Sequence, residues 1–202
     1  PRVRRQRQMC IRDRSKGRTV ISVKDELQHA QSYMNIQKVR YKNSFSVTFD
    51  VEEELYSYCT VKLILQPILE NAINYGVGNM EDGGEIRITG RREGDLIVLA
   101  VSDNGLGMSE EEVALVLTDS NRIHKHGSGV GLVNVNSRIQ ILFGKEYGLV
   151  VESEPDEGTR VSIHIPAVPY TEENRRILEM GHMMSREEIV DRKVQGQSNE
   201  KG

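Results

Sequence analysis

Four short stretches of this chain set carboxylates, amides and glycines where they could handle a phosphate chain and a base. In LILQPILENAINYG, plotted at about 100° per residue, Glu70, Asn71 and Asn74 share a polar stripe, with Leu65, Ile68, Leu69, Ala72 and Tyr75 opposite. Amide oxygens ligate Mg²⁺, and a carboxylate orients or deprotonates a nucleophile; the same stripe also suits an ordinary solvated helix face. In Asp103-Asn104-Gly105-Leu106-Gly107 an acid follows directly on the apolar run LIVLAV. A carboxylate at the end of a buried strand is costly unless it accepts good hydrogen bonds. A ligand amino group, such as N6 of adenine, would supply one, and Gly105 and Gly107 would let the backbone approach the ring. Asp, Asn and Gly are equally the makings of a plain turn. In Gly127-Ser128-Gly129-Val130-Gly131-Leu132 the glycines open a helix, so backbone N–H groups and the helix terminus can face an anion. The spacing GxGxG after a polar segment is not a dinucleotide fingerprint, and no GxxxxGKS/T motif occurs. Asn134 and Arg138, one turn apart on that helix, could face phosphates or solvent. Finally Thr159, after Gly158, could bond a base or a nearby water, or merely serve a turn. No stretch is decisive singly; the four in this order, with a polar segment between the second and third, are hard to attribute to chance.

The elements that must position these residues can be read from periodicity. Val23 to about Arg40 repeats apolar residues at helical spacing, and FSVTFDV alternates Phe45, Val47, Phe49 and Val51 against Ser46, Thr48 and Asp50. Residues 60–76 read as a helix, started or kinked by Pro67 and closed by Gly76 as a C-cap. Strand signals follow at Glu85–Gly90 and Leu96–Ser102, the second apolar without alternation and so central in its sheet or covered on both faces. Ser109 and Glu112 form a capping-box helix start. A helix over Leu132–Phe143 ends at Gly144, and strands Gly148–Ser153 and Thr159–Pro166 flank EPDEG. This order is not strictly alternating, which predicts a two-layer α/β sandwich with a mixed sheet. The expected organisation is a basic, non-native or linker-like segment (1–18), a linker helix and first strand (19–59), the main domain (60–168) and a polar tail with one short helix (169–202).

Composition agrees: 37% of residues are hydrophobic, enough for a globular core. No stretch reaches the roughly 18 apolar residues of a membrane helix. The net charge of −3 divides into +7 over residues 1–18 and −10 over the rest. The basic segment has no periodicity, so no nucleic-acid partner is expected. Cys10 and Cys59 make neither a metal-ligand spacing nor a disulfide framework and read as free thiols.

Taken together, the boxes resemble the GHKL ATPase superfamily of gyrase, heat-shock chaperones, histidine kinases and MutL proteins. ENAINYG resembles its N box, DNGLG and GSGVGL its two glycine boxes, and GT its last motif. The resemblance implies the Bergerat fold, with ATP between the helical layer and a lid at about Met108–His126. It implies Mg²⁺ on Asn71, action of Glu70 at the γ-phosphate, and adenine on Asp103. Asn74, Gly105, Gly107 and Thr159 join the nucleotide contacts, and Gly127, Gly129, Val130, Gly131 and Leu132 form the phosphate cradle. The stretch before the N box, ELQHAQSYMNIQKVRY with FSVTFDV, is similar to histidine kinases of the LytS/YehU type. That likeness implies a cytoplasmic kinase domain of a membrane-anchored, homodimeric parent, which phosphorylates a histidine on an upstream helix and then a response regulator. The acceptor motif resembling NPHFLYN is absent, and His29 reads as a surface or packing residue. Tyr75 stands where this family's N box commonly has histidine, so that position is assigned no chemistry. The second expectation is a conformational ATPase of the same superfamily, or a nucleotide sensor without phosphotransfer.

Overall fold

A computed structural model describes residues 18–80, 83–117 and 129–180; the basic segment up to residue 17 and Gly127 lie outside them. The elements in chain order are β1 (Val20–Ser22), α1 (Val23–Arg40), β2 (Phe45–Val51), β3 (Cys59–Val61), α2 (Leu65–Asn71), β4 (Gly84–Glu93), β5 (Leu96–Asp103), α3 (Glu110–Val116), α4 (Gly129–Phe143), β6 (Gly148–Glu154), β7 (Gly158–Pro166) and α5 (Glu172–Glu179). Five strands form one sheet in the order β2-β4-β5-β7-β6. Only β2 and β4 run parallel in it; the other pairs are antiparallel. This is the mixed sheet of the expected two-layer sandwich.

Strand alternation decides which face is covered. Ile86 and Ile88, Ile97, Leu99 and Val101, and Val161, Ile163 and Ile165 are all buried on one face and join a single core with Leu65, Ile68 and Leu69 of α2 and Val135 and Ile139 of α4. The other face shows Asp50, Arg87, Arg91, Glu152 and Arg160 to solvent. The apolar run LIVLAV lies at the centre of the sheet, paired on both edges.

Helices α1 and α3 start at side-chain caps. Ser22 Oγ accepts the N–H of Asp25 at 3.0 Å to open α1. The capping box of α3 is formed in both directions, Glu112 N–H to Ser109 Oγ and Ser109 N–H to Glu112 Oε2. The helix expected over 60–76 differs. Thr60 belongs to β3, which pairs antiparallel with β1, and α2 begins at Leu65 with Pro67 in its first turn. A three-residue strand with a partner some 40 positions away leaves no periodic signature. Past Asn71 the backbone widens into a π-helical turn, Ala72–Gly76. The short helix expected after Pro169 is present as α5, and it buries Leu178 and Arg175 against the body of the domain.

Candidate functional site

A cavity of about 330 Å³ opens between the α2–π-turn segment and the ends of β5 and β7. Its described walls are Ile68, Asn71, Ala72, Tyr75 and Gly76 on one side, and Val101, Asp103, Thr159 and Val161 on the sheet. The DNGLG loop adds Leu106, Gly107 and Met108; α3 adds Glu112, Leu115 and Val116; and Leu132 closes the α4 side. The lining is mostly apolar with a few polar groups converging, the usual make-up of a small-molecule site.

Asp103 is the central polar group. Alternation along β5 turns it to the same face as Leu99 and Val101, so the last residue of a core strand points a carboxylate into the cavity. Burial pushes its carboxyl up to about 6, against the pull of backbone N–H groups at Gly105 and Thr159. The Gly105 N–H donates to Asp103 Oδ1 at 2.9 Å. Its neighbour Asn104 is occupied elsewhere: Oδ1 accepts the Glu85 N–H at 2.7 Å and Nδ2 donates to the Gly83 carbonyl at 2.9 Å. Asn104 therefore ties the loop to β4 and leaves Asp103 to the cavity.

The glycines make room for this acid. Gly76, the expected C-cap, is the last residue of the π turn, whose cap is Val77, and its φ of −91° needs no glycine. Space is what it supplies: a Cβ there would stand 2.5 Å from Asp103 Oδ1. Gly105 packs its backbone against Gly76 so closely that a Cβ would collide with the Gly76 Cα. Gly107 has a positive φ of 66° and lies against the Glu154 carbonyl. The Met108 N–H then donates to Ser153 Oγ at 2.8 Å, and Ser153 Oγ lies 2.8 Å from Thr159 Oγ1. Thr159 thus meets the cavity with its hydroxyl held by a serine.

On the helical side, Asn71 lines the cavity and its Nδ2 is buried with no hydrogen-bond partner. Such an orphaned amide costs free energy until a ligand reaches it. Glu70 is half-buried; Oε1 accepts Gln66 Nε2 at 2.9 Å, and it is not among the residues lining the cavity. It faces α1, where burial first and the Glu70 charge second push the Tyr33 phenol up to about 12. Asn74 is exposed beyond the cavity wall. The π turn shifts the register after Ala72, so Ile73 enters the core at 1% exposure and Tyr75, expected on the core side, is 39% exposed at the cavity mouth. Gly129 and Val130 begin α4, Gly131 follows, and Leu132 is buried in the wall. Arg138 is not free for phosphates: its guanidinium donates to the carbonyls of Lys62 and Leu63. Asn134 is exposed and His29 half-buried on α1.

The apolar walls from Met108, Leu115 and Val116 are not foreseen from the sequence, although the run after Ser109 carries the signal of Leu115 and Val116. Nor is Ser153, which nothing in its local pattern distinguishes. Among the described residues no cluster of His, Cys, Asp and Glu could hold a metal by itself.

Comparison with known proteins bears on this site. Residues 60–169 match the family model for histidine kinase-, DNA gyrase B-, and HSP90-like ATPases. Sensor histidine kinase BtsS of Escherichia coli (strain K12) is 32% identical over 146 residues, covering 72% of this chain and 24% of its own length. Sensor histidine kinase YesM of Bacillus subtilis (strain 168) is 33% identical, with 73% of this chain and 24% of that protein covered. Sensor protein LytS of Bacillus anthracis is 31% identical, covering 73% and 25%. The chain thus spans about a quarter of the length of these curated relatives. Among solved structures, the nucleotide-free catalytic domain of histidine kinase ThkA superposes with a TM-score of 0.58 at 16% identity, over 75% of this chain and 98% of that one. The mycobacterial sensor histidine kinase MprB gives 0.54 at 17%, over the same shares. At such identity these two speak for the fold, and they share it. On its family match, this chain belongs to the histidine kinase-, DNA gyrase B-, and HSP90-like ATPases, as an ATP-binding domain whose curated relatives include sensor histidine kinases.

Proposed function

We propose that this chain is the catalytic domain of a two-component sensor histidine kinase, binding Mg·ATP and passing the γ-phosphate to a histidine of the parent protein and onward to a response-regulator aspartate. The observation that carries this reading is Asp103, an acid held in an apolar cavity at the end of a core strand, opposite the unpartnered amide of Asn71. Asp103 accepts the adenine amino group, and Gly105 and Gly107 keep the backbone low beneath the base. Thr159, held by Ser153, bonds the base edge or a water beside it.

The phosphates run toward the start of α4, where Gly127, Gly129, Val130, Gly131 and Leu132 cradle them, with Asn74 at the open side. Asn71 fits a magnesium ion: its amide can turn over in place to present the oxygen, and this metal is ordinarily held by one or two protein ligands with substrate phosphates and waters. Mg²⁺ supplies charge neutralisation when bound. Glu70 accepts the imidazole proton as the new P–N bond forms and the bond to the β-phosphate oxygen breaks, releasing ADP. Phosphoryl transfer asks for little beyond such positioning.

In this reading residues 60–168 are the catalytic unit and 19–59 link it to the acceptor helix, through which the parent dimerises. Among the described residues no helix is long and apolar enough to cross a membrane; the parent is anchored by other segments, with this domain on the cytoplasmic side. The test is incubation with Mg·[γ-³²P]ATP and the separately prepared acceptor helices of the parent. Base-stable, acid-labile label on the acceptor, absent with Glu70→Gln, is expected. Nucleotide binding without any transfer would reduce this chain to a nucleotide sensor.

A further inference from the structure

One buried acid takes no part in the chemistry above. Glu26 of α1 is 1% exposed, and none of the described residues of α1 lines the cavity. Its Oε2 accepts the Leu63 N–H at 2.7 Å, and its Oε1 accepts the N–H groups of Ile64 at 2.8 Å and Leu65 at 2.9 Å. These are the opening amides of α2, whose own N-cap residue, Ile64, makes no side-chain cap. The same turn is gripped from its other side, where the Arg138 guanidinium of α4 donates to the carbonyls of Lys62 and Leu63. Leu63 sits at a φ of 56°, in the left-handed region that a leucine enters only when its surroundings hold it.

The turn Lys62–Leu65 is therefore the shared anchor of three helices. Helix α2 carries Asn71 into the cavity wall, and α4 brings Leu132 to it from the glycine-rich loop. Helix α1 meets α2 a second time further along, where Tyr33 lies within electrostatic reach of Glu70. We propose that Glu26 is a positioning residue for nucleotide binding: it fixes the first turn of α2 and, with Arg138, sets Asn71 against the start of α4, so that α1 governs the site without touching it. A carboxylate suits this task because it offers acceptors only, enough for three converging N–H groups. This inference rests on the nucleotide reading of the cavity.

The test uses Glu26→Gln, which keeps the shape of the side chain but leaves one of its two terminal atoms a donor facing an N–H. Glu179→Gln is the control. Glu179 Oε1 likewise accepts backbone N–H groups, those of Thr19 and Val20, away from α2. Calorimetry should show Mg·ATP affinity falling on the order of ten-fold in Glu26→Gln and unchanged in Glu179→Gln, since general destabilisation affects both. In the native chain, amide exchange at Leu63, Ile64 and Leu65 should slow when Mg·ATP is added. This second measurement decides the matter even if Glu26→Gln does not fold. Unchanged affinity in a folded Glu26→Gln, or exchange at these amides indifferent to nucleotide, overturns the proposal. Failure of the native chain to bind Mg·ATP removes the nucleotide reading and this inference with it, a result seen before any variant is made.

Discussion

Asp103 shows how a single side chain trades stability for a binding site. Its carboxyl is raised from 3.8 to about 6 by burial, so the ionised form is the costly one in the folded protein. The sign follows: the contribution to stability is complete below the unfolded value near 4 and is lost as pH rises through about 6. At 1.36 kcal/mol per unit the loss is about 3 kcal/mol at neutral pH. Asp103→Asn should accordingly raise the urea midpoint of the ligand-free chain at pH 7.5, with the gain shrinking towards pH 4. Affinity for ATP should move the other way in the native chain, falling as pH drops below about 6 and the acceptor is protonated. Asp103 was legible because a charge ending an apolar run is anomalous in one dimension. Gly76 and Glu26 were misread or overlooked because their reasons are three-dimensional: Gly76 yields space to an acid 27 positions on, and the partners of Glu26 lie 37 to 39 positions away.

Elements, in turn, decide where these residues point. Helix α2 gives way to a π turn after Asn71, and that widening sends Ile73 into the core and Tyr75 to the cavity mouth. No helical wheel drawn at constant pitch could place both. Gly76→Ala sets a methyl against Asp103 Oδ1, so the chain should fold with a loss of about 1–3 kcal/mol while Mg·ATP binding weakens at least about ten-fold by calorimetry. On α3, Ser109→Ala removes one half of the capping box and should cost about 1 kcal/mol locally, seen as faster amide exchange at Glu110–Val116 with the core strands unaffected. Strong local patterns such as FSVTFDV and Ser109–Glu112 were readable because adjacent residues satisfy one another. Strands β1 and β3 were not, since each is three residues long and defined only by the other.

The whole molecule extends the family domain at both ends. The family match stops at residue 169, yet α5 buries Leu178 at 2% exposure, and Glu179 bonds both Arg175 and the backbone of Thr19 and Val20 at the entrance to α1. Truncation after Pro169 should lower the melting temperature by roughly 5–10 °C and leave the affinity of the folded fraction for nucleotide unchanged. The central claim is that the Asp103 cavity is an adenine-nucleotide site, and the most direct measurement is calorimetric titration of Mg·ATP into the native chain and into Asp103→Asn. Saturable binding by the native chain, lost or weakened at least about a hundred-fold in the variant, is the predicted result. A folded native chain that takes up no heat with Mg·ATP, or a variant that binds as tightly as the native chain, would contradict it.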